Sequence, residues 1–334
     1  MTVFCLVELD GEAVADPSLR ALTLARALAA ARGDAGLTAV LFVDRGGDDR
    51  ARVDLSGGAG LGAYGVTDLY AVSGIPGYAP QAQGRVLAGL AGPGRVLIAA
   101  GTEHGNEVMA HAAAVAGLPM AANCTAAEPA AGSAAALAVT RQRWAGLLLE
   151  EAVVDAAAAL LTVATEAVTA VPADQPAALT VRVLAATPDE ADLVVRAVGT
   201  PAGAGGASLA SARVVVGGGR GVGSADGFAP LEELARLLGG VVGVSRVVTS
   251  EGWRPHSMQV GQTGTKITPD LYLACGISGA IQHFAGCAGA KHIIAINTDP
   301  GAPMMTRADY AVVGDLHAVL PALIKSLRDR APED

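Results

Sequence analysis

The chain has 334 residues, 51% of them apolar, with 43 glycines, 23 Lys and Arg against 32 Asp and Glu, and a net charge of −9. That much apolar material excludes a disordered chain, and the acidic balance argues against nucleic acid as a partner. The length suits two domains of ~100 to 200 residues each.

The mean hydropathy of +0.42 raises the question of a membrane span. The uncharged stretch 271–290 reaches the ~20 residues such a span needs, but it carries Ser278, Gln282, His283 and four glycines. Burying those polar groups in lipid is costly, and Cys275-Gly276 reads as a strand end entering a loop. No transmembrane segment is expected. Met1 leads directly into Val3-Phe4-Cys5-Leu6-Val7, without a basic n-region or cleavage site, and a cytoplasmic location is expected. Cys5, Cys124, Cys275 and Cys287 form no CxxC pair and read as reduced, buried thiols.

In chain order, short β-branched runs alternate with Ala- and Leu-rich stretches through the first 125 residues, the pattern of a parallel sheet wrapped by helices. Strands are expected at Val3–Leu9, Thr38–Val43, Asp68–Val72 and Val96–Ala100. A helix is expected at Leu19–Ala31 with Leu22, Leu24 and Leu28 inward. The segments Leu137–Thr140, Leu147–Val153, Leu160–Thr169 and Leu179–Val183 alternate in character and suggest an antiparallel edge or ribbon. Pro201 and the glycines of 199–207 make a flexible linker. The expected domains are therefore 1–198, an N-terminal doubly wound α/β domain with added antiparallel strands, and 208–334, a second parallel-sheet domain. In the latter, strands are expected at Arg213–Val216, Val241–Val248, Leu271–Cys275, His292–Asn297 and Tyr310–Val313, with helices at Leu231–Leu238 and Leu316–Leu327.

The richest chemical candidate is Val214-Val215-Val216-Gly217-Gly218-Gly219-Arg220-Gly221. Glycines let backbone N–H groups approach phosphate oxygens, a following helix favours an anion, and Arg220 adds a charged fork. The spacing fails GxGxxG and lacks a Walker A lysine, so a plain glycine-rich turn is the competing reading. Four more loops follow expected strands: Ser245-Arg246, Val260–Gly264, Gly276–His283 and Asn297–Asp299. Open α/β sheets bind ligands at the carboxyl ends of their strands. Glycine, hydroxyl and amide groups converging there suit a large cofactor with phosphates, ribose hydroxyls and a ring bearing carbonyls. Arg246 alone reads equally as a surface cation, and a lone His283 more often serves structure than catalysis. Glu107 and His111 stand four apart on an expected helix, with Glu103 and His104 before it. The HExxH order is absent, and no metal is assigned. Ser278 lies in GISGA rather than GxSxG, so no nucleophile and no catalytic residue is assigned.

These motifs carry a resemblance that spans essentially the whole chain: it resembles the α subunit of electron transfer flavoprotein. The most specific stretch is PDLYLACGISGAIQHFAGCAGAKHIIAIN, 269–297, supported by GGGRG at 217–221, SR at 245–246, VGQTG at 260–264 and ADYAVVGDL at 308–316. The resemblance implies a noncovalent FAD held by a Rossmann-like second domain, and a β subunit that completes a heterodimer and carries AMP or a second FAD. Carried over by position, it implies that Arg220 meets the FAD pyrophosphate region and that Ser245 and Arg246 stand near the isoalloxazine. Arg246 would there favour negative charge at the pyrimidine end of the ring. It further implies that Val260, Gly261, Gln262 and Thr263 run along the ring, with the Thr263 hydroxyl reaching N5. Ser278, Gly279, Ala280, Ile281, Gln282 and His283 form the next cofactor segment, with His283 toward the C2 carbonyl, while Asn297, Asp315 and Leu316 lie toward ribose and adenine. The chain departs from the pattern where Thr265 precedes Lys266 and where Val247-Val248-Thr249-Ser250-Glu251 lacks an aspartate.

The implied function is electron carriage and not substrate catalysis. Electrons would come from flavin dehydrogenases such as the acyl-CoA dehydrogenases of fatty acid β-oxidation and pass to a membrane quinone oxidoreductase. Two alternatives stand beside it: a subunit of an NADH-oxidising, electron-bifurcating flavoprotein, and a flavin-dependent dehydrogenase with its own substrate. The dehydrogenase would need a base near the flavin, and no carboxylate in the matched loops stands out for that task.

Overall fold

A computed structural model describes residues 2–34, 36–43, 60–133, 136–144, 146, 148–196, 209–210 and 212–330. The chain divides into two compact units, 1–201 and 202–334. The expected linker, 199–207, lies outside the described residues.

The first unit runs β1 (Thr2–Leu6), β2 (Leu9–Asp10), β3 (Ala13–Val14), α1 (Asp16–Arg32), β4 (Leu37–Phe42), β5 (Val66–Ser73), α2 (Pro80–Leu90), β6 (Arg95–Ala100) and α3 (Glu103–Ala116). It continues with β7 (Met120–Pro129), β8 (Leu137–Arg143), β9 (Leu148–Val154), β10 (Ala159–Val163) and β11 (Thr180–Ala185). A nine-stranded sheet has the order β11-β5-β4-β1-β6-β10-β7-β8-β9. It is parallel from β11 to β7 and antiparallel across β7, β8 and β9.

The two-residue period of β1 explains why helices cover both faces. Val3 and Cys5 pack with Leu22, Leu24 and Leu28 of α1, whereas Phe4 and Leu6 pack with Leu87 of α2 and Val108, Met109 and Ala112 of α3. Local signals set the helix ends. Pro17 and Asp16 open α1, and Gly33, at φ 69°, closes it. Thr102 caps α3 by accepting the Gly105 N–H at 2.8 Å.

The doubly wound fold and its antiparallel addition match expectation, but two of the segments expected in the ribbon lie elsewhere. β10 is buried along its whole length, runs parallel between β6 and β7, and stops at Val163, with a 3₁₀ turn at Thr165–Ala167. An apolar run covered on both faces carries no alternation to read. β11 is parallel to β5 at the opposite edge. The long strand β7 is Ala-rich, a composition with little strand signal of its own.

The second unit runs β12 (Val214–Gly218), α4 (Ala229–Leu237), β13 (Val241–Val244), α5 (Arg246–Ser250), β14 (Leu271–Cys275), α6 (Ile281–Cys287), β15 (His292–Asn297), α7 (Pro303–Arg307), β16 (Tyr310–Val313) and α8 (Leu316–Arg330). The strands form a five-stranded sheet, order β13-β12-β14-β15-β16, with every pairing parallel. Val216, Leu273, Cys275 and Ile296 face α4 and α8. Val215, Tyr272, Ala274 and Ala295 face Cys287 of α6 and Met304 and Met305 of α7.

The expected strand Val241–Val248 ends at Val244. The Ser245 N–H still reaches the Gly218 carbonyl at 3.0 Å, and then the Val248 N–H turns back to the Ser245 carbonyl at 3.0 Å. The helical turn drives Val248 into the core beside Val244. The glycine-rich loop after β12 is followed by 3₁₀ turns at Arg220–Val222 and Asp226–Phe228, so α4 does not open directly on it. The 271–290 stretch folds as β14, a loop and α6. Among the described residues no helix is long and apolar enough to cross a membrane. All four cysteines are buried and unpaired.

Candidate functional site

The strand order of the second unit reverses between β12 and β14, because the chain moves outward from β12 to β13 and then returns to the other side. Open parallel sheets form a ligand crevice where neighbouring loops diverge in this way. Here the two loops are tied across the crevice: the Gly219 N–H donates to the Cys275 carbonyl at 2.9 Å and the Gly221 N–H to the Gly276 carbonyl at 3.1 Å. A cavity of about 640 Å³ opens on this rim, within the range of ~300 to 1,000 Å³ usual for cofactor sites.

Thirteen of the expected residues line it: Arg220, Ser245, Arg246, Val260, Gly261, Gln262, Thr263, Ser278, Gly279, Ala280, Gln282, His283 and Asn297. Ile281, Asp315 and Leu316 do not. Ile281 opens α6 and is 53% exposed. The Asp315 carboxylate accepts the His317 N–H at 2.9 Å at the start of α8, and Leu316 is buried in the core below Gly276. Asn297 shapes the rim with its amide, donating to the Ile277 carbonyl at 3.1 Å and accepting the Asp299 N–H at 3.1 Å.

The 260–264 loop is fastened at both ends. The Val260 N–H donates to the Val244 carbonyl at 2.8 Å and the Thr265 N–H to the Gln259 carbonyl at 2.7 Å, while the Gln262 N–H reaches the Gln282 carbonyl of α6 at 2.7 Å. Gly286 of α6 sits directly under this loop, where a Cβ would lie 2.3 Å from the Gly261 nitrogen. Only glycine permits that approach.

His283 is held from below by the fully buried Tyr272, whose hydroxyl lies 2.8 Å from Nε2. Gly217 leaves room for that hydroxyl, since a Cβ there would meet it at 2.3 Å. Burial drives the His283 pKa down to about 4, with the Val260 carbonyl opposing, so the imidazole is neutral near pH 7. Its Nδ1 is buried and finds no hydrogen-bond partner among the described residues. The N–H groups of Ser278, Gly279 and Ala280 likewise take no partner there. The site therefore offers two guanidinium groups, several hydroxyls, free backbone donors and an orphaned imidazole nitrogen. That donor set fits a dinucleotide with phosphates, ribose hydroxyls and a carbonyl-bearing ring.

Ser250, Glu251 and Gln259 also line the cavity and were not expected, while Asp299 lies in the expected Asn297–Asp299 loop. Ser250 and Glu251 come round one helical turn after Arg246, a placement hidden while 241–248 read as a strand. Gln259 directly precedes the expected Val260 segment, but an uncharged side chain next to a valine gives no signal by itself. The Glu107–His111 pair lies on α3 in the first unit, and no group of His, Cys, Asp and Glu suited to a metal occurs among the described residues.

Residues 3–189 match the family described as "Electron transfer flavoprotein domain" and residues 208–288 the "Electron transfer flavoprotein FAD-binding domain". The chain is similar to "Electron transfer flavoprotein subunit alpha" of Bacillus subtilis (strain 168), 51% identical over 123 residues covering 37% of this chain and 38% of that one. The same-named protein of Paracoccus denitrificans is 55% identical over 119 residues, 36% of this chain and 39% of its own. That of Mycobacterium leprae is 52% identical over 122 residues, 36% and 38%. The aligned stretch thus spans less than two fifths of each of these relatives.

Proposed function

The chain belongs to the electron transfer flavoprotein family, on its α-subunit side, and from that membership we propose that it carries electrons on an FAD held in the cavity of its second unit. The observation that carries this reading is the donor set on the switch-point rim: two arginines, free backbone N–H groups and the unpartnered Nδ1 of His283 around one cavity.

FAD supplies reversible electron storage when bound; the chain's residues set where it lies and which charge state is favoured. Arg220, on the turn after β12, is placed for the pyrophosphate. Arg246 opens α5 on the same rim, where a cation raises affinity for electrons on the ring. Val260–Thr263 and Ser278–His283 present backbone and hydroxyl groups to its edges. His283, kept neutral by burial, can donate from one nitrogen while Tyr272 fixes the other.

The partner in this reading is an electron transfer flavoprotein β subunit, which completes a heterodimer and holds AMP. Donors are flavin dehydrogenases such as the acyl-CoA dehydrogenases of fatty acid β-oxidation, and the acceptor is a membrane quinone oxidoreductase; the chain works in the cytoplasm. The heterodimer should be reduced within seconds by catalytic acyl-CoA dehydrogenase plus acyl-CoA and not by NADH alone. Direct NADH reduction with two FADs per heterodimer would instead select the bifurcating reading. A second reading rests on Glu251, a carboxylate on the cavity wall that a dehydrogenase with its own substrate would use as base. Glu251→Gln leaves reduction by the partner dehydrogenase unchanged if the chain is a carrier, and abolishes turnover if it is a dehydrogenase.

A further inference from the structure

One hydrogen bond joins two buried rings beneath the cavity. The Tyr272 hydroxyl lies 2.8 Å from His283 Nε2; the hydroxyl has no other partner among the described residues, and Nδ1 has none at all. Tyr272 is fully buried, and Gly217 leaves the space that its hydroxyl fills. Burial raises the Tyr272 pKa well above its ordinary range, so the group stays an O–H. The neutral imidazole carries one N–H. One bond therefore has two protons to choose from.

The two arrangements differ in where the left-over donor ends up. If Nε2–H donated to the hydroxyl oxygen, the Tyr272 O–H would be stranded in a sealed position, outside the cavity lining and without an acceptor among the described residues. An unpaired donor buried in that way carries its full desolvation penalty. If Tyr272 donates to Nε2 instead, the left-over donor is the Nδ1–H of a residue that does line the cavity, where a ligand can supply an acceptor. The Val260 carbonyl beside the imidazole favours the same arrangement, because an acceptor there prefers a proton on the ring to a bare lone pair. So does the chemistry of the groups: a phenol oxygen shares its electron density with its ring and donates better than it accepts, whereas a neutral imidazole nitrogen accepts well.

We infer that Tyr272 is a positioning residue: it donates to His283 Nε2 and so fixes the imidazole, before any cofactor arrives, as an Nδ1–H donor for an acceptor atom of the bound ring. Tyr272 itself need not touch the ring. The inference rests on the FAD reading for the identity of the acceptor, while the tautomer is a property of this chain alone. A fixed neutral donor gains strength as its acceptor gains electron density, so it favours the reduced ring over the oxidised one.

The test assembles the full chain, carrying isotope-labelled histidine, with an unlabelled β subunit and reads the protonation of each His283 nitrogen from its NMR chemical shift. The His283 signal is identified by its loss in His283→Leu. The complex is measured as purified and again after its flavin is removed. The wild type is expected to show a protonated Nδ1 and a bare Nε2 in both samples, a result that needs no substitution. Tyr272→Phe should give a mixture of tautomers once flavin is removed, and its reduction potential should fall by about 30 mV, a tenfold change in relative affinity for a two-electron couple. In a His283→Leu background, Tyr272→Phe should leave the potential where it was. A protonated Nε2 in the wild type would overturn the inference, as would a Tyr272→Phe protein that keeps either the single tautomer or the wild-type potential, or a potential that Tyr272→Phe still moves when His283 is absent. A folded wild-type heterodimer that holds no flavin would instead remove the FAD reading, with the tautomer still readable from the same spectrum.

Discussion

Arg246 and His283 reach the same cavity by different physics. Arg246 is exposed at the head of α5, so its field is screened by water until a ligand covers it. Its contribution therefore shows in the bound state: Arg246→Ala should lower the first-electron potential by about 60 mV, a tenfold change for a one-electron couple, and Arg246→Lys should recover most of it. Potentiometric titration of both variants checks this, and an unmoved potential in Arg246→Ala contradicts the assigned role. His283 acts through burial. Its folded pKa of about 4 lies below the ordinary 6.5, so between those values the unfolded chain binds a proton that the folded chain refuses. Stability is full above pH 6.5 and falls as pH drops toward 4. Asp270, held low by Lys291 and Arg213, contributes its own loss only at more acidic pH. Thermal melts across that interval should slope downward with acidification in the wild type and flatten in His283→Asn.

At the scale of elements, the site is a set of strand ends held in register by loop-to-loop hydrogen bonds and by one close approach. Gly286→Ala would drive a methyl group into the backbone of Gly261. It should cost about 1 to 3 kcal/mol as an overpacked contact and weaken FAD binding by displacing Val260–Thr263. Equilibrium unfolding and flavin titration check the two effects separately. Much of this framework was legible in the sequence: β14, β15 and β16 have the expected bounds, because short apolar runs there are flanked by Gly, Pro and Asp. The thirteen rim residues all lie in loops that follow expected strands, whereas their individual roles came from the resemblance, since the glycine-rich loop fits no standard phosphate motif. What stayed hidden has a physical cause in each case. Val241–Val248 is valine-rich, and only tertiary burial of Val248 turns its second half into α5. Ala159–Val163 is covered on both faces and so lacks the alternation that reveals direction. α6 is a seven-residue segment, too short to display a helical period.

At the scale of the whole molecule, each unit has hydrophobic clusters of its own on both sides of its sheet. Among the described residues, those that line the cavity belong to the second unit. The first unit repeats the doubly wound plan and adds the β7–β9 ribbon, where Arg141 pairs with Glu150 across neighbouring strands at 2.7 Å. The candidate cofactor cavity thus lies in the second unit. The most direct test is flavin content: the full chain is purified with its β subunit, the released cofactor is identified and counted, and the count is repeated with Arg220→Ala and Gly286→Ala. The account predicts FAD at one per heterodimer in the wild type, with occupancy reduced in both variants. A folded, partnered wild-type sample without FAD, or FAD occupancy indifferent to both substitutions, would contradict it.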